Sequence, residues 1–443
     1  MFSIFKKDPL KNLRDEARSV LHHAGKVWNY RRDIIREEDS VLLRTACTKV
    51  EELLGSSETG EAELENAVER LNEVLHDVGG TMYPVKMIPE WVELIVVAVI
   101  IAGGIRTFFL QPFKIPTNSM YPTYHGMTAK VHPLDESNQS PVEKAWMKLT
   151  QWASTIEVRS PQAGEVLIPL NGDGTLVRLP NGLDRGIFNT GILKSPNYVF
   201  ALHVGMDKRV PIEVPQEFNF TSVVLHTYFP EEAAISTESE NMRWSLVLKN
   251  ARQRGDIISN PFGHIFLRTR REVKANGRLV NFDVLTGDMV LVDRMSYHFV
   301  TPKLGDPFVF ATKHIPGLND NNGQPTDLYY IKRLVGLPGD TLQVKEPVLL
   351  RNGDKIAGKP AFDKNNERQT DLLYYGYQPI AGRESSYMLH APQTIPEHHY
   401  FAMGDNSSNS WDSRGWGYVP EEEVIGRALF ILYPFTSRWG LAE

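Results

Sequence analysis

The sequence predicts a mainly β region that follows one transmembrane helix and an N-terminal helical part. An uncharged apolar run at residues 94–105 favours the span. Residues 329–335 alternate at strand period and run into the turn residues 336–340, which predicts a β-strand and a tight loop. Apolar residues recur at i, i+3 and i+4 spacing through 64–75, which predicts an amphipathic helix.

Composition limits the classes of function. The 443 residues are 42% hydrophobic, enough for two or three domains with cores of their own. A net charge of −6 gives no sign of nucleic-acid binding, so protein or peptide substrates are expected. The single cysteine, Cys47, excludes an intrachain disulfide and a multi-cysteine metal site. We expect no metal and no cofactor.

The N-terminal part, residues 1–87, is predicted to form a helical hairpin. Residues 10–54 and 64–75 have helical patterns, and Gly55 and Gly60 interrupt them as an interhelical turn would. No catalytic group is evident in this part.

The span is assigned to residues 88–112. Glu93 and Arg106 lie at the edges of the apolar run, so a buried or interfacial helix is the alternative. Trp91 at one end and Phe108 at the other extend the span to about twenty residues, which favours a membrane helix.

Basic residues before the span favour a cytoplasmic N-terminus. They are the pairs Lys6-Lys7 and Arg31-Arg32 and the single Lys86. The region after the span is then expected on the opposite side of the membrane.

A nucleophile candidate follows the span directly. Ser119 lies between Pro116 and Pro122, each of which fixes its own φ angle and makes the preceding residue extended. A serine in such a stiffened loop is suited to attack, although by itself the pattern is that of an ordinary turn.

A base candidate lies on the predicted strand 329–335. Tyr330, Lys332 and Leu334 share one face, so the lysine is expected to be partly desolvated and its pKa lowered. A neutral amine of this kind can act as a general base, whereas an exposed strand lysine is the simpler interpretation.

A third segment, residues 403–417, is rich in short hydroxyl and amide side chains. Such side chains bond local backbone, so a structured loop is expected. It lacks the ligand spacing of an EF-hand, which argues against metal binding.

In this order the three segments resemble the motifs of bacterial type I signal peptidases, membrane-anchored Ser/Lys proteases. The resemblance covers residues 91–123 and 282–443. It implies Ser119 as nucleophile and Lys332 as general base. It also implies a catalytic domain at residues 113–133 and 277–443.

The resemblance implies further site residues. Thr117 would complete the oxyanion hole, where many members have Ser, and Ser410 would position the lysine amine. Ser407 departs from an arginine that is common after Gly-Asp-Asn. The groups expected to support the loop are Asp405, Asp412 and Arg414. The residues expected to bind substrate are Phe113, Ile115, Pro116, Met120, Tyr330 and Ile331.

Residues 134–276, here called the insert, are predicted to form an accessory β-rich domain. Residues 222–229 and 244–248 have apolar runs that predict strands. Residues 141–152 predict an amphipathic helix with Trp146 and Trp152 on its apolar face. That face is expected to pack on the protein's own sheet, with the lipid headgroup region as the alternative.

The resemblance implies an enzyme that removes signal peptides from exported preproteins. The expected partners are those preproteins, the lipid bilayer and the export translocon, at the outer side of a bacterial inner membrane. Two alternatives stay open: a catalytically silent, membrane-anchored interaction protein and a Ser/Lys self-cleaving regulator. A serine–histidine enzyme would use His125, the histidine nearest to Ser119 in sequence, but no G-x-S-x-G elbow surrounds the serine.

Overall fold

The computed structural model describes residues 9–56, 60–84, 87–135, 140–179, 197–319, 323–379 and 386–442. The basic residues Lys6, Lys7 and Lys86 lie outside these ranges. The chain forms two compact units, Met1–Gly104 and Ile105–Glu443.

The first unit is helical. Its helices are α1 (Pro9–Arg31), α2 (Glu37–Gly55), α3 (Glu61–Val78) and the greater part of α4 (Met87–Phe108). The first three share one apolar core that includes Leu43, Val50 and Leu71. Three helices therefore stand where the sequence predicted two. The break after Arg31 contains no Gly or Pro, and its sequence signal is the acidic first turn of α2.

Helix α4 closely matches the predicted span. Among the described residues it is the one helix long and apolar enough to cross a membrane, over Trp91–Phe108. Within the first unit the carboxylate of Glu93 lies 3.3 Å from Nζ of Lys26. One of the two charges at the edges of the apolar run therefore has a cationic partner.

The second unit is mainly β. Its strands are β1 (Leu110–Lys114), β2 (Thr128–Val131), β3 (Ser154–Arg159), β4 (Gly164–Leu170), β5 (Asn197–Val204), β6 (Lys208–Pro215), β7 (Ile257–Ser259), β8 (Ile265–Val273), β9 (Arg278–Leu285), β10 (Met289–Asp293), β11 (Pro307–Ala311), β12 (Tyr329–Gly336), β13 (Thr341–Lys345), β14 (Val348–Arg351), β15 (Asp354–Lys355), β16 (Gln393–Thr394), β17 (His399–Met403), β18 (Val419–Pro420), β19 (Val424–Tyr433) and β20 (Gly440–Leu441). Its helices are α5 (Pro141–Gln151), α6 (Phe220–Tyr228), α7 (Pro230–Ala233), α8 (Glu240–Arg254), α9 (Pro360–Asn366) and α10 (Ser413–Trp416).

The largest sheet has eight antiparallel strands in the order β1-β10-β19-β11-β12-β17-β18, with β20 beside β19. Four inter-strand steps separate β1 from β12, about 19 Å in a flat sheet. The aromatic rings of Phe113 on β1 and Tyr329 on β12 are nevertheless 5.1 Å apart. The sheet is therefore curled, and its curl brings β1 opposite β12.

Three smaller sheets complete the second unit. Their strand orders are β2-β9-β3, β6-β5-β4-β8-β7 and β15-β14-β13-β16. Strand β9 follows the insert and pairs with β2 before the insert and β3 within it. Phe282 of β9 packs in the same core as Ile212 and Val247 of the insert. The insert thus shares a core with the sequence on both sides of it.

The two predicted strands of the insert are helices, so that prediction was wrong. In α6 the buried residues Phe220, Val223 and Val224 recur at helical spacing, and Trp244, Val247 and Leu248 do so in α8. Both segments are rich in β-branched and aromatic residues, which favour strands locally. Both helices are buried in a core shared by the three-stranded and five-stranded sheets, and this burial favours the helical arrangement of their apolar residues.

The predicted amphipathic helix is present as α5, with Ser140 as its N-cap. Most of its apolar face does not pack on the protein's own sheet, contrary to the expectation from sequence, although the ring of Trp152 contacts that of Tyr433 on β19. Val142, Trp146, Leu149 and Trp152 are exposed, and Met147 is the buried residue of the helix.

Candidate active site

Ser119 lies in a short 3-10 helix, Asn118–Met120, directly after β1. The loop is held at both ends by backbone bonds, from Ile115 N–H to Asp288 O (2.8 Å) and from Met127 N–H to Pro116 O (3.0 Å). Inside it the Asn118 side chain accepts a bond from Gly126 N–H at 2.9 Å. The serine is therefore held rigidly and is only 7% exposed.

Lys332 lies in the middle of β12, opposite Phe308 of β11. Its Nζ is 2.5 Å from Oγ of Ser119, although 213 residues separate the two in sequence. The side chain is buried, and burial lowers its pKa to about 8, with Asp412 raising and Arg414 lowering it to a smaller extent. A substantial fraction of the amine is therefore neutral near physiological pH.

Thr117 also lies near the nucleophile, with its hydroxyl 3.4 Å from Oγ of Ser119. Ser410, expected to position the lysine amine, lines the same cavity as Ser119 and Lys332. Its hydroxyl is buried in the same region but has no hydrogen-bond partner among the described residues. A bond from Ser410 to the lysine amine is therefore not formed in this structure.

The loop expected to support the site is built around a fully buried ion pair. Arg414 contacts Asp412 at 2.7 Å, with both side chains inaccessible to solvent. Asp412 also accepts a bond from Gly404 N–H at 3.0 Å. Ser407, the residue that departs from the family pattern, accepts a bond from Arg414 at 2.8 Å. Ser407 therefore helps to hold this loop together through its bond to Arg414.

A second buried ion pair was missed by the sequence analysis. Arg333, next to Lys332 on β12, donates two bonds of 2.6 Å to the carboxylate of Asp405. Thr123, four residues after the nucleophile, donates to the same carboxylate. Asp405 therefore links the strand of the lysine to the loop of the serine. The sequence signal for this ion pair was the arginine that directly follows Lys332 on the predicted strand.

Gly404 is a further residue that sequence reasoning missed. A Cβ atom there would lie 2.2 Å from Oγ of Ser410 and 2.3 Å from the carbonyl oxygen of Ser119. The close approach of this loop to the nucleophile requires glycine.

A cavity of about 910 Å³ opens in front of the serine and the lysine. Strand β1 pairs on one edge only, with β10, and residues Tyr329 to Lys332 pair with β11 but not with β17 in the described structure. Two unpaired strand edges thus border the cavity, where an extended peptide could add main-chain bonds.

Five of the six expected substrate-binding residues line this cavity: Phe113, Ile115, Pro116, Tyr330 and Ile331. Met120 is fully buried and packs with Tyr124 and Ala428 in the core beneath the site. Within the described ranges no group of three or more His, Cys, Asp or Glu residues could hold a metal ion.

His125 is not arranged as a base for Ser119. Its ring packs against Tyr121, with ring centres 4.5 Å apart. Burial, followed by the charge of Arg438, lowers its pKa to about 4, so the imidazole is neutral at physiological pH.

A serine hydroxyl in hydrogen-bond contact with a buried amine, at the floor of a cleft bordered by strand edges, defines a serine hydrolase of the peptidase class. The sequence profile of one family, signal peptidase, peptidase S26, matches residues 88–166 and 266–433. The chain belongs to this signal peptidase family. The profile leaves residues 167–265 unmatched, a shorter segment than the insert expected from sequence.

Individual relatives agree with this assignment. The probable signal peptidase I-1 of Synechocystis sp. is 34% identical over 160 residues, 35% of this chain and 66% of that protein. The signal peptidase I of Leptolyngbya laminosa is 30% identical over 174 residues, 38% and 70% of the two chains. The signal peptidase I T of Bacillus subtilis is 36% identical over 117 residues, 26% and 55%. The matches therefore span between 55% and 70% of these relatives.

Among solved structures, a crystal structure of a signal peptidase I from Enterococcus faecalis matches at 25% identity with a TM-score of 0.22. It covers 29% of this chain and 97% of that one.

Proposed function

We propose that this protein is a membrane-anchored endopeptidase that removes N-terminal signal peptides from exported preproteins. Ser119 is the nucleophile and Lys332 the general base. The observation that carries the proposal is the 2.5 Å contact between Nζ of Lys332 and Oγ of Ser119, made in a buried site. Membership of the signal peptidase family supports the choice of substrate.

In the first step the neutral amine of Lys332 takes the hydroxyl proton of Ser119. The oxygen attacks the scissile carbonyl and forms a tetrahedral adduct. Collapse of the adduct breaks the C–N bond, and the Lys332 ammonium gives its proton to the leaving amine. The acyl-enzyme is then hydrolysed by a water that Lys332 activates in the same way.

The negative charge of the tetrahedral adduct needs hydrogen-bond donors. The Ser119 backbone N–H and the hydroxyl of Thr117 are the proposed pair. Thr117 lies 3.4 Å from Oγ of Ser119, so a modest rotation of its side chain points the hydroxyl at the adduct. Its β-methyl group restricts the rotamers available.

The preprotein is proposed to bind in extended form between β1 and β12. Main-chain bonds to the two unpaired edges would hold it, as in strand addition. Shallow apolar pockets near Ile115, Tyr330 and Ile331 would accept small side chains one and three residues before the cut. Small side chains at these positions are typical of signal-peptide cleavage sites.

Helix α4 is proposed to cross the bacterial inner membrane once, with the catalytic unit on the outer side. Its exposed apolar length supports this assignment. Preproteins emerge on that side, so the anchor would hold the catalytic cleft close to its substrates. The lipid bilayer and the export translocon are the proposed neighbours.

The test is cleavage of a purified preprotein by the full chain in lipid vesicles. Ser119→Ala and Lys332→Ala should each abolish cleavage while circular dichroism stays that of the wild type. Lys345→Ala, which removes an exposed lysine of β13, is the matched control and should cleave normally. Normal turnover by folded Lys332→Ala would exclude the amine as base.

The same assay separates the alternatives. A catalytically silent interaction protein would leave the preprotein intact even as wild type. A self-cleaving regulator would cut its own chain and not an added preprotein. The buried Ser119–Lys332 contact disfavours the silent alternative, because an unused buried amine is costly to keep.

A further inference from the structure

The insert reaches the catalytic cleft. Residues from its loops and helices line the same cavity as Ser119 and Lys332: Thr175, Gln216, Glu217, Asn219, Thr221, Asn241 and Trp244. All seven fall within residues 167–265, which the family profile does not match. This wall of the cleft is therefore a feature of this chain and not of the shared catalytic part.

Helix α8 fixes this wall of the cleft to the loop of residues 403–417. The amide of Asn241, in the first turn of α8, donates to the carbonyl oxygen of Ser408 at 3.1 Å and contacts the side chain of Asn409 at 3.3 Å. These two residues directly precede Ser410. The N-terminus of α8 is itself capped by Ser239.

The turn between β6 and α6 is braced against the same helix. The side chain of Asn219 donates to Glu240 of α8 at 2.7 Å. Glu217 lies in this turn with a left-handed backbone, at φ +65°. Such a conformation is uncommon for a residue other than glycine and persists only where the surroundings hold it.

Glu217 shares the cavity with Tyr330 of β12. Burial raises the pKa of Tyr330, and the negative charge of Glu217 raises it further. The ring of Tyr330 is in turn 5.6 Å from Nζ of Lys332. Glu217 and Tyr330 thus line the same cavity, and the carboxylate is near enough for its charge to act on Tyr330.

Among the described residues that line the cavity, Glu217 is the one carboxylate, and the cationic groups are Lys114 on β1 and Lys332. The carboxylate is exposed, and its partner in the structure is the hydroxyl of Tyr198 at 3.4 Å. Among the described residues its charge is therefore not neutralised by an ion pair, and it is available to a bound peptide.

We propose that Glu217 is a specificity-determining residue that favours a basic side chain in the preprotein close to the scissile bond. The proposal rests on the proposed function, because it concerns the substrate of that same cleft. A lysine or arginine of the bound peptide would form an ion pair with Glu217 across the cleft, and an acidic residue at the same position would be repelled.

The test uses the full chain in vesicles and peptides that contain a signal-peptide cleavage site. Each peptide carries a single Lys, Gln or Glu. This residue is placed at one of the four positions before the cut or one of the four positions after it. The wild type should prefer Lys over Glu at one position, by roughly twofold to fivefold in kcat/KM for a solvent-exposed ion pair. Glu217→Gln should lose this preference, and Glu217→Lys should reverse it.

Glu213→Gln is the matched control. Glu213 is an exposed carboxylate of β6, bonded to Asn197, and it does not line the cavity. Glu213 lies within β6, whereas Glu217 lies in the turn that follows β6 and lines the cavity. The Glu213→Gln variant should keep the wild-type preference.

The outcomes distinguish the two proposals. If the wild type cleaves no peptide in the set, the proposed function fails. If it cleaves them but shows no preference for Lys over Glu, or if Glu217→Gln keeps that preference, the assignment of Glu217 is wrong and the proposed function stands. A Glu217→Lys enzyme that still prefers Lys would also overturn the assignment.

Discussion

Gly404 lies directly against Ser119: a Cβ atom at this position would come within 2.3 Å of the carbonyl oxygen of Ser119. The contact is with backbone, which cannot move aside as a flexible side chain could. The position of Ser119 thus depends on a glycine 285 positions later in the chain.

Gly404→Ala should therefore lower kcat by about 100-fold, because a displacement of about 1 Å at the reacting atoms has an effect of that order. Peptide cleavage by the purified enzyme measures it. Gly172→Ala is the control, since a Cβ at Gly172 would meet nothing within 4 Å. An alanine variant at 404 with wild-type kcat would show that the loop can relax.

The pH dependence follows from Lys332. Burial lowers its pKa to about 8, and the neutral amine is the active form, so kcat/KM should rise with pH through about 8 and level off above it. His125→Ala should leave this ascending limb in place, because the pKa of His125 is about 4. If the ascending part of the pH profile shifts when His125 is replaced, the amine of Lys332 is not the base.

Thr117→Val should lower kcat by about 100-fold with little change in KM. The variant keeps the shape of the side chain and removes the donor proposed for the oxyanion, and single donors of this kind contribute on that scale. Thr117→Ser, which retains the hydroxyl, should restore most of the rate. Equal rates for the valine and serine variants would mean that backbone donors suffice.

The pair formed by Arg333 and Asp405 should be important for stability. Both side chains are at most 3% exposed, so Asp405→Ala leaves a buried cation without its partner and should lower the free energy of unfolding by about 3–5 kcal/mol. Urea unfolding of the detergent-solubilised chain measures this. Asp135→Ala removes a carboxylate that is 92% exposed and should cost less than about 1 kcal/mol.

The short motifs around the site could be predicted from sequence because they are local. Ser119 between two prolines and Lys332 on an alternating strand each predicted the element in which the residue is found. Their meeting across the cleft came only from family resemblance, because no pattern in one chain shows that the sheet curls. Gly404 was missed for the same reason, since the atoms it accommodates belong to Ser119 and Ser410.

The insert was harder to predict. Val223, Val224 and Leu225 favour a strand by intrinsic preference, yet they are buried in helix α6. Their environment is set by β5 and β9, which lie on either side of them in sequence. The position of Glu217 in the wall of the cavity could not be predicted either, because no sequence pattern around it indicates that it shares a cavity with Tyr330.

The long sequence separation of the two reacting groups also has a consequence for the newly made chain. Lys332 is synthesised 213 residues after Ser119. At usual translation rates this delay is roughly 10 to 40 s. Until then the proposed base is absent, and for most of that time β2, which follows Ser119, has no β9 with which to pair. On the proposed mechanism, a growing chain of this design stays inactive at least until residue 332 has been made.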